Sequence, residues 1–125
     1  MSAVLDTTVL IDILRGHPAA VDYVLDLEDV ACCSEVTRVE VVRGLRSEER
    51  RSAERLFRQL RWAPVDEGIS RAAGEFGRRL RRSHVGIGVA DLIIAATAEH
   101  LDLPLATTNV KHFPMFRGLR APYRD

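Results

Sequence analysis

The sequence predicts an α/β fold: a three-layer α/β/α sandwich around a central, mostly parallel sheet of four to five strands. Three observations carry this. Short apolar runs recur at Ala3-Val4-Leu5, Val30-Ala31-Cys32-Cys33, Trp62-Ala63-Pro64-Val65 and Leu103-Pro104-Leu105-Ala106-Thr107. Stretches with helical apolar spacing lie between them, and that alternation argues βαβ units with helices on both sheet faces. The run Gly88 to Ala98 is apolar on all sides, with one acid, Asp91, near its front. That is the pattern of a buried core helix, too short to span a membrane.

The chain has 125 residues and 46% hydrophobic content, enough for one domain, 1–125, with a real core. Its 18 basic and 18 acidic residues cancel, so no global field draws it to nucleic acid or an anionic membrane. Lys111 is the only lysine; the arginine excess suits bidentate phosphate contacts or reflects a biased base composition. Adjacent Cys32 and Cys33 have poor geometry for a disulfide. No signal peptide, stop-transfer segment or lipidation motif is visible, which makes a cytoplasmic protein with no membrane partner the expectation.

In chain order, the first strand ends in Asp6-Thr7-Thr8, and a helix from about Val9 to Leu14 stops at Arg15-Gly16-His17-Pro18. Ala19 to Leu27 has a helical period. The second strand ends at Ser34-Glu35, and Thr37-Arg38-Val39-Glu40 opens a helix running to Gly44-Leu45. A charged helix from about Ser47 to Leu60 turns Ala53, Leu56, Phe57 and Leu60 inward; Arg51, Arg55 and Arg58 share another face. After the third strand, Asp66 to Arg82 is helical, with Glu75–Arg79 as an exposed pair. Ser83 to Gly88 is a loop, the buried helix runs to about Leu101, and the fourth strand ends at Thr108-Asn109. The tail from Phe113 is irregular, with room for one edge strand near Leu119.

In a parallel sheet of this kind, ligands bind beyond the carboxyl ends of the strands. Asp6 lies just past the first strand, Glu40 in the first turn of the helix after the second, and Asn109 just past the fourth. Asp91 heads the helix feeding that fourth strand. Three carboxylates and an amide can therefore converge on one edge. Facing carboxylates repel unless a cation sits among them or some are protonated, and oxygen-only ligands point to magnesium or manganese. Such a site suits metal-assisted phosphoryl chemistry. Each residue also has a plainer reading: Asp6 as a helix cap, Thr37 and Glu40 as a capping box, Asn109 as a turn residue. Asp12, on the first helix, would support the site from behind. His84, His100 and His112 read as structural or solvated. Nothing resembles a Ser-His-Asp set, a Gly-rich phosphate loop or cysteine metal spacing.

Four segments together resemble a known family, the PIN-domain ribonucleases, and within it the VapC-type toxins of bacterial toxin–antitoxin pairs. They are Val4-Leu5-Asp6-Thr7-Thr8-Val9-Leu10-Ile11-Asp12, Ser34-Glu35-Val36-Thr37-Arg38-Val39-Glu40-Val41, Ala90-Asp91-Leu92-Ile93-Ile94-Ala95-Ala96-Thr97-Ala98 and Leu105-Ala106-Thr107-Thr108-Asn109-Val110-Lys111-His112-Phe113. The resemblance implies a magnesium- or manganese-dependent endoribonuclease, a homodimer, and inhibition by a cognate antitoxin. It matches Asp6, Glu40 and Asp91 to the family's metal-site acids. Asn109 falls where many members carry a fourth acid, and Thr8 where a small polar residue supports the pocket; Thr107 stands beside them. Arg43, Arg46 and the stripe Arg51–Arg55–Arg58 could line an RNA path or simply form a solvated face. The competing functions are a non-cleaving module of the same fold and a nuclease with a processing role.

Overall fold

The computed structural model describes residues 2–83 and 86–124; His84 lies outside them. Its four strands are β1 (Val4–Leu5), β2 (Cys32–Ser34), β3 (Arg61–Ala63) and β4 (Leu105–Ala106). Its six α-helices are α1 (Thr7–Leu14), α2 (Pro18–Leu25), α3 (Glu35–Arg43), α4 (Arg50–Arg58), α5 (Glu67–Leu80) and α6 (Val89–Leu101). All strand pairs are parallel, in the order β3-β2-β1-β4. The chain thus steps outward from β1 to β3, then crosses back through α5 and α6 to the other side of β1. That reversal opens a crevice between the ends of β1 and β4, where open α/β sheets take ligands.

Successive strand residues face opposite ways, and the two cores follow that alternation. Val4 and Cys32 pack with Ile69, Phe76, Ile94 and Ala95 of α5 and α6. Leu5 and Cys33 pack on the other face with Val9, Leu10, Ala53 and Phe57. This gives the three layers. The two cysteines are free and buried, and burial pushes the Cys33 thiol up to about 12. Helix α6 is buried over Ile94–Ala98, while Val89 at its start is 72% exposed. Among the described residues no helix is long and apolar enough to cross a membrane.

Several boundaries differ from the sequence reading, each for a local reason. Helix α1 starts at Thr7, not Val9, because the Asp6 carboxylate accepts the Thr7 N–H. Helix α3 starts at Glu35, because the Ser34 hydroxyl accepts the Val36 N–H at 3.1 Å. Thr37 is therefore not a cap, the capping box with Glu40 does not form, and Glu40 lies beyond the first turn. The charged helix is split into a 3-10 turn at Ser47–Glu49 and α4. Glu75 pairs with Arg78 at 3.5 Å rather than with Arg79, whose guanidinium lies over Phe76, 5.0 Å from the ring centroid. No strand forms near Leu119 among the described residues; a 3-10 turn at Val110–His112 follows β4, and Leu119 packs against the α5–α6 core.

Candidate active site

Asp6 is the fixed point of the crevice. The residue is 2% exposed, and its carboxylate accepts three hydrogen bonds. Oδ1 accepts the Thr7 N–H at 2.8 Å. Oδ2 accepts the hydroxyls of Thr107 at 2.7 Å and Thr8 at 3.0 Å. The Asn109 N–H in turn donates to Thr107 Oγ1 at 3.0 Å. The end of β4 is thereby bolted to the end of β1 through side chains as well as through the strand pairing. Asp6 both caps α1 and sits in the crevice, so its two readings from sequence are compatible.

Glu40 approaches from α3. Its Oε1 accepts the Thr7 hydroxyl at 2.6 Å, and Thr7 Oγ1 also lies 3.1 Å from Thr37 Oγ1. Thr37 is fully buried, so this chain of hydroxyls fixes α3 against α1. Asp91 enters from the first turn of α6, where the free N–H groups favour a carboxylate. Its Oδ2 lies 3.1 Å from Nδ1 of His112. His112 is therefore not a merely solvated turn residue.

The charges in this crevice feel one another. Burial pushes the Asp6 carboxyl above its ordinary value; the hydroxyls of Thr107 and Thr8 and the Thr7 N–H pull it back, and the Glu40 charge adds to the rise. Burial raises Asp91 as well, the Asp6 charge adds to that, His112 relieves it, and Glu40 raises it further. No Lys or Arg forms an ion pair with Asp6, Glu40 or Asp91 among the described residues. Three acids with no Lys or Arg partner, only His112 standing beside Asp91, offer oxygen donors that suit a hard cation. The side chains are not already arranged as a cage: among the described residues no group of three His, Cys, Asp or Glu stands ready to hold an ion. Glu40 is engaged by Thr7 and Asp91 by His112, so a cation would have to draw both toward Asp6.

The remaining predicted residues fall into two groups. Thr8, Thr107 and Asn109 join Asp6 directly or through one bond. Asp12 stands apart: its Oδ2 accepts the Tyr123 hydroxyl at 2.8 Å, tying the C-terminal tail to α1. It also lines a cleft with Thr8 and Asn109. The Asn109 side chain makes no hydrogen bond among the described residues. Thr7, Thr37 and His112 are the participants that sequence reasoning missed. Arg43, Arg46, Arg51, Arg55 and Arg58 are exposed; Arg58 and Arg55 reach Glu54 and Ser52 of their own helix.

The PIN domain family matches residues 3–116. Ribonuclease VapC19 of Mycobacterium tuberculosis is 45% identical over 123 residues, covering 95% of this chain and 98% of that protein. The structure of VapBC-1 from nontypeable Haemophilus influenzae has a TM-score of 0.75 at 27% identity, covering 90% of each chain. VapBC-5 from Mycobacterium tuberculosis, a member of the VapBC family of toxin–antitoxin systems, has a TM-score of 0.63 at 25% identity, covering 97% of this chain and 94% of that one. The chain belongs to the PIN-domain family and, within it, to the VapC ribonucleases.

Proposed function

We propose that this VapC ribonuclease cuts RNA at the crevice, with Asp6, Glu40 and Asp91 holding a magnesium or manganese ion. The observation that carries the assignment is geometric: Asp6 is buried and held by Thr7, Thr8 and Thr107, Glu40 bonds the hydroxyl of that same Thr7, and Asp91 lies close enough for the Asp6 and Glu40 charges to help raise its carboxyl beyond what burial does. Dependence on a metal is the general behaviour of the family; the choice of ion is read from the oxygen-only donor set. When bound, the ion would lower the pKa of a water and neutralise charge on the phosphate.

The chain's own residues divide the rest of the work. Three hydrogen bonds hold Asp6 in one orientation, a preorganisation that mobile carboxylates lack. Glu40 and Asn109 would orient the water that attacks the RNA phosphate. The Asn109 amide offers donors without adding negative charge, which favours one ion over two. Thr8 and Thr107 keep the Asp6 oxygens from turning away.

Within this reading the chain is the toxin endoribonuclease of a toxin–antitoxin pair, and a small cognate antitoxin is its protein partner. The family membership and the VapBC neighbours support this. A homodimer is part of the same reading; Val39 and Val42, 63% and 51% exposed on α3, offer an apolar surface for a second copy. The test is cleavage of a mixed RNA pool with magnesium, with manganese and with chelator, beside Asp6→Asn. Metal-dependent cutting that the variant lacks is the expected result. Full cutting by the variant, or in chelator, would refute the assignment.

A further inference from the structure

Beside the acid crevice lies a second feature, an open cleft of about 430 Å³ lined by Thr8, Ile11, Asp12, His17, Thr108 and Asn109. That volume falls within the range of small-ligand sites. It shares a wall with the crevice. Thr8 Oγ1 donates to Asp6 Oδ2 at 3.0 Å and accepts from Thr108 Oγ1 at 3.3 Å. Asn109 holds, through its N–H, the same Thr107 hydroxyl that donates to Asp6. Of the six lining residues, Thr8 thus bonds Asp6 itself, and Thr108 and Asn109 each bond a residue that does.

The lining tells what the cleft can take. It contains no Lys or Arg and one carboxylate, so a phosphate group is a poor occupant. Ile11 contributes apolar surface, and His17 a ring. The polar atoms form a mixed set. Asp12 spends Oδ2 on Tyr123 and keeps Oδ1 as an acceptor. The Thr108 hydroxyl gives its proton to Thr8 and keeps its lone pairs. His17 Nδ1 accepts the Ala20 N–H at 3.4 Å, which in the neutral ring leaves Nε2–H as a donor. The Asn109 amide adds two more donor hydrogens and an acceptor. A planar group with donors and acceptors along one edge matches this set, and a nucleobase is such a group. A carboxylate reads an exocyclic amine.

We propose that this cleft is a nucleoside subsite for the RNA, taking the base next to the cut and preferring the amino-bearing bases adenine, cytosine and guanine over uracil. The proposal rests on the ribonuclease reading above. Tyr123 is a positioning residue here. Its hydroxyl donates to Asp12 and its ring lies 5.3 Å from that of His17, so the C-terminal tail contacts two of the lining residues.

The test combines binding and cutting. Binding of CMP, AMP, GMP and UMP, which carry no internucleotide bond to cut, is followed by amide chemical-shift changes in chelator. Cut sites in a mixed RNA pool are mapped by sequencing for wild type, Asp12→Asn and His17→Asn. The second variant keeps a side chain able to cap α2, so the ring is lost without the cap. The expected result is shifts at the lining residues with UMP binding weakest. The two variants should bind at least ten-fold more weakly and lose the discrimination against uracil at one position beside the cut. Tyr123→Phe should weaken that discrimination partly. Mononucleotide binding without any RNA cleavage would leave a nucleotide-binding cleft but remove the ribonuclease reading, and with it the proposal's placement of the base beside a cut. Cleavage with an unchanged base preference in both variants would remove the subsite and spare the ribonuclease. Variants that cut normally but resist inhibition by the antitoxin would make the cleft a protein contact and overturn the proposal.

Discussion

Thr107→Val is the sharpest test of how the crevice is held. Valine keeps the shape of threonine and removes one hydroxyl at a fully buried position. That hydroxyl donates to Asp6 at 2.7 Å and accepts from the Asn109 N–H at 3.0 Å. Losing a hydrogen bond to a charged group costs roughly 1.5–3 kcal/mol, and leaving a buried N–H unpaired roughly 1–3 kcal/mol. Asn109 is only half-buried, so water can reclaim part of the second loss. The expected destabilisation is about 3 kcal/mol, read from the urea midpoint at constant m-value. The hydroxyl also favours the ionised form of Asp6, so the variant's Asp6 should hold its proton to higher pH. The acid limb of the cleavage pH profile should therefore move upward, with activity at pH 7 lower by roughly 10–100-fold, as for other residues that orient a metal ligand. A loss under 1 kcal/mol with an unmoved pH profile would refute this account of Asp6.

Three further outcomes follow from other contacts. In chelator, folded Asp6 and Asp91 bind protons more tightly than the unfolded chain, whose carboxyls titrate near 3.8. Folded protein then carries more protons just above that pH, so stability should fall as pH rises through this window, and a saturating divalent ion should offset the fall; denaturant midpoints against pH check it. Ser34→Ala removes the cap of α3 and should cost about 1 kcal/mol, with a larger drop in cleavage than in stability because α3 carries Glu40. Arg38 lies over the Trp62 ring at 4.0 Å and pairs with Glu35 at 2.6 Å; both contacts are partly exposed, so Arg38→Ala should cost only about 1 kcal/mol in thermal unfolding.

Much of the crevice was readable from sequence because punctuation marks it. Asp6 and Thr107 end apolar runs, and Asp91 is the lone acid in an apolar helix, so their elements fix their place. Sequence alone places Glu40 in the first turn of its helix, whereas α3 starts at Glu35 and carries it beyond that turn. Ser34 and Thr37 are both good caps three residues apart, and nothing local ranks them; the pairing of Ser34 with Ala63 on β3 makes Ser34 the residue that leaves the strand, and hence the cap. Thr7 and Thr37 meet across thirty residues of chain, through the packing of α1 on α3, which no local pattern encodes. His112 reaches Asp91 only because the turn after β4 folds back toward α6. The Asp12–Tyr123 bond joins the two ends of the chain, the longest-range contact of the site and the least legible from sequence.

In the function proposed above, Asp6, Glu40 and Asp91 share one divalent ion. Titration of the metal-free protein with manganese by calorimetry tests it most directly, on wild type, Asp6→Asn, Glu40→Gln and Asp91→Asn, each first shown to be folded. One site is expected in the wild type, weakened at least ten-fold by each substitution. Unchanged manganese affinity in all three variants would contradict it.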